Sequence, residues 1–287
     1  MFRSPLRVLL PPDSLEDLMY EQFFGLEHAP FQISPDPDFL FPSRVHEEAL
    51  QQVRYALNHF KGSCLVVGPV GSGKTTICRQ ILRELDSDFV DYALILNPRL
   101  QERELLVQIL TDLGEEVLSW EGLAQQVQEV LLARYLIGRH VVILVDEAQA
   151  MPSESLEALR LLTNLETNER KVVQVVFFAQ PEFELRLKEE PELLPLRQRI
   201  LVRCELAPLR FQETKAYIGH RLEVAGGVCG IRFSPWAQRA IHRWSAGVPR
   251  LINHLCDKAM LSAYVRQDHR IRYSDAQRAR RDVGALL

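Results

Sequence analysis

The chain has 287 residues, 47% hydrophobic and 25% charged, with a net charge of −4 at pH 7. That balance is ordinary for a globular protein with room for one large and one small domain. The mild acidity excludes a strong global pull toward nucleic acid or anionic membrane. No apolar run approaches the ~18 residues of a membrane span. The N-terminal stretch is too short and too broken by Pro5, Pro11 and Pro12 for a secretory signal. Cys64, Cys78, Cys204, Cys229 and Cys256 form no C-x-x-C pair. Buried free thiols in a reducing cytoplasm are expected, rather than disulfides or a metal site.

Residues 1–20 read as a loosely attached extension with an acidic patch from Asp13 to Asp17. Residues 23–43, rich in Pro and Phe, read as ordered but irregular. Ala49, Leu50, Val53, Ala56 and Leu57 recur at helical spacing, which predicts a helix over 45–60. The apolar run 64–67 predicts a strand, and 77–85 a helix. Between them stands Gly68-Pro69-Val70-Gly71-Ser72-Gly73-Lys74-Thr75, the full G-x-x-x-x-G-K-[ST] phosphate loop, followed by Thr76. The strand–loop–helix context makes the motif credible. Its glycines let backbone N–H groups close around phosphates at a helix N-terminus. Lys74 is expected on the β- and γ-phosphates of a nucleotide, and the Thr75 hydroxyl on Mg²⁺.

Residues 89–96 predict a strand ending at Asn97-Pro98, and 102–113 and 120–137 predict helices. Five consecutive apolar residues, 141–145, read as a strand buried on both faces. It ends in Asp146-Glu147. A strand alternates its faces, so the two acids do different work. Asp146 is expected to hold Mg²⁺ through water, and Glu147 to orient and polarise the attacking water. A helix over 153–164 and a strand over 172–179 follow, the latter ending at Gln180-Pro181.

Strands alternating with helices predict an α/β domain, a parallel sheet flanked by helices on both faces. Its sites fall at the carboxyl ends of strands. After residue 209 the pattern changes to helices over 212–224, 235–245, 250–266 and 274–282. The expected division is an extension 1–20, an αβα nucleotide-binding domain 21–209 and an all-helical lid 210–287.

Further polar residues stand at strand and helix ends. Asn97 ends a strand taken to lie beside the phosphate-loop strand. It either hydrogen-bonds Glu147, holding it off the water, or serves the turn before Pro98. Gln180 either senses the γ-phosphate and places the water or caps its strand. Arg197 and Arg199 precede the last strand of the large domain. They form either a solvated basic turn or, in a ring, a contact to the nucleotide of the neighbouring subunit. Arg250 follows Gly247-Val-Pro249 at a helix start, where its charge opposes the dipole. A bound phosphate explains it better than stability does.

In this order, the motifs resemble an AAA+ ATPase. Phe24-Gly-Leu, Pro30-Phe31, His46-Glu-Glu-Ala49-Leu50, Asp146-Glu-Ala-Gln149, Leu162-Thr-Asn164-Leu165-Glu166, Gln180-Pro181-Glu182, Leu196-Arg-Gln-Arg-Ile200 and Glu213-Thr-Lys-Ala-Tyr217 narrow the resemblance to the ExeA/GspA family of secretion ATPases. The match covers residues 22–283. It implies that the 23–50 region packs around adenine with His46 close by. It implies Gln180 as sensor 1, Arg250 as sensor 2 and Arg199 as the arginine finger in trans, with Arg197 in reserve. The family carries a transmembrane helix and a periplasmic peptidoglycan-binding domain after the ATPase. This sequence ends at Leu287 before either, which resembles the stand-alone MshM-like members linked to mannose-sensitive haemagglutinin (MSHA) type IV pili. The expected function is Mg²⁺-dependent ATP hydrolysis by a homo-oligomer that assembles a type II secretion or pilus system. The expected place is the cytoplasm, with contact to the inner membrane through partners. The alternative is a DNA-binding regulator like the transposition ATPases TniB and TnsC. That role needs a basic stripe, and the local basic excess is Arg266, Arg270, Arg272, Arg278, Arg280 and Arg281.

Overall fold

The structure, a computed structural model, describes residues 19–33, 36–165, 171–226 and 230–284. The expected extension up to residue 18, together with Glu166 and Cys229, lies outside the described residues. The chain divides into two compact units, one spanning Pro35–Pro208 and the other joining the described residues 19–33 to those from Leu209 onward.

Helix α1 (Met19–Phe24) belongs to the second unit. The first is built on a five-stranded parallel sheet in the order β2-β3-β4-β1-β5. Its strands are β1 (Ser63–Val67), β2 (Val90–Ile95), β3 (His140–Val145), β4 (Val173–Ala179) and β5 (Ile200–Glu205). Strand side chains alternate between faces, and each face buries its own set. Cys64, Val66, Val142, Leu144, Val176 and Phe178 pack against α2 (Arg44–Asn58) and α3 (Lys74–Glu84) through Val53, Ala56, Ile77 and Ile81. Leu65, Val67, Ile143, Val175 and Phe177 pack on the other face against α4 (Glu102–Asp112), α5 (Leu123–Leu136) and α6 (Ser153–Leu162). Helices α7 (Pro181–Glu189) and α8 (Leu194–Arg199) lead from β4 to β5.

The sheet buries a large polar side chain. Gln174 of β4 is fully buried, but its amide donates to the Ala56 carbonyl at 2.8 Å and its oxygen meets His140 Nε2 at 2.7 Å. Burial without those partners would cost on the order of 1–3 kcal/mol.

The sheet order corrects one expectation. β2 is not beside the phosphate-loop strand β1: it is the edge strand, with β3 and β4 between them. Burial explains the order. All seven residues of β4 are buried, as a central strand requires, whereas β2 alternates and leaves Tyr92 exposed.

The second unit holds α1, α9 (Phe211–Val224), α10 (Pro235–Ser245), α11 (Pro249–Val265) and α12 (Tyr273–Gly284). It is not purely helical, because β6 (Arg232–Phe233) pairs in parallel with β7 (Arg270–Ile271). The segment expected to open the nucleotide-binding domain goes partly here. Phe23 stacks on His269 at 4.5 Å and meets Tyr264 edge-on at 5.4 Å. The Tyr20 hydroxyl donates to Asp257 at 3.0 Å. Buried Arg221 donates to the carbonyls of Pro30 and Gln32, and Asn253 also donates to Gln32. These bonds satisfy an irregular backbone that has no ladder of its own. The 23–50 region is therefore split between the units, and the expected boundary at residue 21 moves to about residue 35. Gly247 is fixed by a close approach within this unit: its φ is +79°, and a Cβ would stand 2.1 Å from the Leu209 carbonyl oxygen.

Candidate nucleotide site

Buried β1 runs directly into the loop 68–73, and α3 begins at Lys74. Gly71 and Gly73 have φ of +78° and +98°, a region that side chains avoid. Gly68 is required by space, since a Cβ there would meet Ser72 Oγ at 2.5 Å and Leu206 Cβ at 2.9 Å. His46 holds the loop from α2. Its Nε2 lies 2.9 Å from the Ser72 carbonyl and its Nδ1 2.6 Å from Ser43 Oγ. A carbonyl only accepts, so Nε2 carries the proton. A Cβ on Gly73 would stand 2.9 Å from that nitrogen. Lys74 is 3% exposed, and its ammonium donates to the carbonyls of Gly68 at 2.8 Å and Pro69 at 3.0 Å. The Ser72 hydroxyl is buried without a hydrogen-bond partner. A buried cation, an unpartnered hydroxyl and α3's N-terminal N–H groups form a cradle of the chemistry that takes phosphate. Pro69, Gly71, Thr75 and Thr76 are half-buried around it, and Val70 is exposed.

The two acids stand where β3 ends. The Thr75 hydroxyl donates to Asp146 Oδ2 at 2.7 Å, and the Glu147 N–H to Asp146 Oδ1 at 2.9 Å. The hydroxyl and carboxylate oxygens are the hard donors that Mg²⁺ takes, so this pair fits the ion. Asp146 is 4% exposed, and burial pushes its carboxyl above the usual range, opposed by the Thr75 and Glu147 hydrogen bonds. Glu147 is bound differently. Its backbone is left-handed, φ +53°, a costly state for a non-glycine residue that gathers at functional sites. Its Oε2 accepts from Gln149 Nε2 at 2.6 Å and from Gln180 Nε2 at 2.8 Å. β4 lies beside β3, so Gln180 at the end of β4 reaches the acid.

The structure thus brings together Lys74, Thr75, Asp146, Glu147, Gln180 and His46. Asn97 does not join Glu147. Its Oδ1 accepts from the Arg99 N–H at 3.3 Å, closing its own turn, and the Glu147 oxygen is taken by two glutamines. Arg197 and Arg199 end α8, just before β5 begins at Ile200. β5 runs parallel to β1 with Ser63 opposite Ile200. Both arginines therefore stand at the amino end of the sheet, and the phosphate loop stands at its carboxyl end. A five-residue strand is about 16 Å long, too far for either arginine to reach the phosphates of its own chain. Arg197 is exposed and Arg199 half-buried. Arg250 is exposed at the second residue of α11, in the helical unit. Cys64, Cys78, Cys204 and Cys256 are buried, and burial pushes the thiols of Cys64 and Cys204 to about 12 and about 11.

Two residues of the site carry no expected role. Gln149 donates to Glu147 and accepts from the Gln180 N–H at 3.0 Å. Arg186 of α7 donates to the carbonyls of Gln149 and Met151. For Gln149 a signal exists in the sequence, a polar residue two positions after the acid pair. For Arg186 the sequence shows only Glu190 four residues on, because the carbonyls it holds belong to another segment.

The family described as AAA domain matches residues 58–187. The general secretion pathway protein A of Aeromonas hydrophila is 44% identical over 271 residues, 93% of this chain and 49% of that protein. The chain thus spans about half the length of this relative. Among solved structures, the Drosophila origin recognition complex (ORC) bound to DNA aligns with a TM-score of 0.68 at 21% identity, covering 98% of this chain and 70% of that one. The Cdc6p of Pyrobaculum aerophilum aligns with a TM-score of 0.64 at 14% identity, covering 92% and 71%. At those identities the structures bear on fold alone, and they agree with the parallel sheet described above. Residues 58–187 thus match the AAA domain family, and the chain is similar to general secretion pathway protein A over about half of that protein's length.

Proposed function

We propose that this chain binds ATP with Mg²⁺, hydrolyses it as a homo-oligomer, and thereby drives or regulates assembly of a type II secretion apparatus or an MSHA-like type IV pilus. The observation that carries the chemistry is the 2.7 Å bond from Thr75 to Asp146, beside buried Lys74 and the clamped Glu147 carboxylate. The name of the Aeromonas relative supports the secretion assignment.

In this reading the loop N–H groups and Lys74 hold the β- and γ-phosphates. Thr75 and Asp146 hold Mg²⁺, which offsets phosphate charge when bound. Glu147 accepts the proton of the attacking water as the water oxygen bonds the γ-phosphorus. The bond to the β–γ bridging oxygen breaks, leaving ADP and phosphate. Gln180 places the water against the γ-phosphate. His46 holds the loop against α2 near the base. Arg199, with Arg197 in reserve, reaches the nucleotide of the neighbouring subunit, and Arg250 is the lid's phosphate contact. Among the described residues no helix is long and apolar enough to cross a membrane. The proposed place is the cytoplasmic side of the inner membrane, held there by partners.

The DNA-regulator alternative has less support. Arg266 is paired with Asp268 and Asp275, and Arg272 with Asp268, so part of the expected basic stripe is neutralised within the chain. The test is the ATPase rate against protein concentration, with and without double-stranded DNA, at two salt concentrations. A rate per protomer that rises with concentration and ignores DNA is the expected result. Strong, salt-sensitive stimulation by DNA replaces the secretion reading with the DNA reading.

A further inference from the structure

Three residues close a ring of hydrogen bonds at the carboxyl ends of β3 and β4. Gln149 Nε2 donates to Glu147 Oε2 at 2.6 Å, and Gln149 Oε1 accepts from the Gln180 backbone N–H at 3.0 Å. Gln180 Nε2 completes the ring by donating to the same Glu147 oxygen at 2.8 Å. The amide orientation of Gln149 is determined by these partners. Reversed, it would set its oxygen against a carboxylate and its NH₂ against an N–H, losing both bonds.

The backbone beneath Gln149 is fixed as firmly. Residues Ala148–Ala150 form one turn of 3₁₀ helix. Ala148 and Met151, on either side of Gln149, are buried in the core. Arg186 Nη1 donates to the Gln149 carbonyl at 3.0 Å and to the Met151 carbonyl at 2.9 Å, while its Nε and Nη2 bind Glu190. The amide of Gln149 is thus presented from a rigid turn. Glu147 has the opposite character, since its backbone is left-handed and its side chain depends on partners for its direction.

We propose that Gln149 is a positioning residue for hydrolysis: it fixes the Glu147 carboxylate and the Gln180 backbone relative to each other, so that the water-polarising acid and the γ-phosphate-facing glutamine act as one unit. The proposal rests on the assignment of Glu147 above. Two amides on one carboxylate oxygen set the direction of the Glu147 side chain, and the bridge to Gln180 sets the spacing between the ends of two strands. A misplacement on the ångström scale is costly in a site of this type. No contact from Gln149 to the nucleotide is required, so nucleotide affinity is independent of it.

The experiment measures kcat and KM for ATP, the dissociation constant of a fluorescent ATP analogue and the melting temperature. The full chain is used, as wild type, Gln149→Ala, Gln149→Glu, Gln180→Ala, the Gln149→Ala/Gln180→Ala double variant and Glu147→Gln. Loss of one hydrogen bond to a charged group corresponds to a fall in kcat of about tenfold or more for Gln149→Ala. KM, analogue affinity and melting temperature stay at wild-type values. Gln149→Glu keeps an acceptor for the Gln180 N–H but sets a carboxylate against Glu147, so its kcat falls at least as far. The double variant loses less than the product of the single losses, because both amides serve one oxygen. Full activity in Gln149→Ala alongside an inactive Glu147→Gln overturns the role of Gln149 and leaves the Glu147 assignment standing. Weakened analogue binding or a lowered melting temperature in both Gln149 variants makes the residue structural, and also overturns it. Full activity in Glu147→Gln overturns the parent assignment and this inference with it.

Discussion

Lys74 and Asp146 are both nearly inaccessible, yet their burial has opposite consequences. Lys74 finds carbonyls in its own loop, so its charge is satisfied within the chain. Lys74→Ala removes a charge-assisted contact to phosphate, and ATP affinity is expected to fall roughly 10- to 100-fold. Isothermal titration measures it, and unchanged affinity removes Lys74 from the site. Asp146 keeps a raised carboxyl pKa mainly through burial. Its folded pKa lies above its unfolded one, so its favourable contribution is complete below the ordinary carboxylate range and is lost as pH rises through the raised value. At neutral pH the ionised group is therefore a cost that a bound cation offsets. Asp146→Asn is expected to raise the melting temperature by a few degrees at pH 7.5 without Mg²⁺. The gain shrinks on acidification toward about pH 4, and Mg²⁺ with nucleotide no longer stabilises the variant. A melting temperature that falls at pH 7.5 contradicts this account.

Helix α11 brings a local conflict to the element scale. A positive side chain at its second residue opposes the helix dipole, at a cost of about 0.3–1 kcal/mol, and Arg250 occupies that place. Arg250→Ala is therefore expected to stabilise the helical unit by that small amount while weakening ATP binding several-fold. Chemical denaturation and nucleotide titration read the two effects separately. A stability gain with unchanged affinity takes Arg250 out of the nucleotide site. The elements themselves were largely legible from periodicity. The helix expected at 235–245 is α10, and the strand expected at 141–145 lies within β3. Where the pattern failed, partners outside the element decided. The stretch after Gln180 gives no strong periodic signal, and α7 is anchored by Phe183 and Leu187 in the core and by Arg186 on backbone carbonyls.

For the molecule as a whole, the placement of Arg199 matters most. It lies at the end of the sheet opposite the phosphate loop, so a role in catalysis requires a second copy of the chain. Arg199→Ala is expected to lower kcat by about 10³-fold or more, the scale of arginine fingers. Glu147→Gln is expected to lose about 10²- to 10⁴-fold, the scale of a general base. Mixing the two inactive variants restores part of the activity, because one mixed interface pairs an intact Glu147 with an intact Arg199. Absence of rescue at every mixing ratio counts against Arg199 acting in trans.

The sequence by itself determined the α/β class, the phosphate loop, the acid pair and the change to helices after residue 209. Those follow from local periodicity and from motifs whose residues are contiguous along the chain. Only the tertiary structure decided the sheet order, which put β2 at the edge and left Asn97 to its own turn. It also joined residues 19–33 to the helical unit through aromatic packing and buried Arg221, and set Gln149 between Glu147 and Gln180. Each of these depends on contacts between segments distant in sequence. No local pattern encodes them, because burial and hydrogen-bond satisfaction are properties of the packed chain.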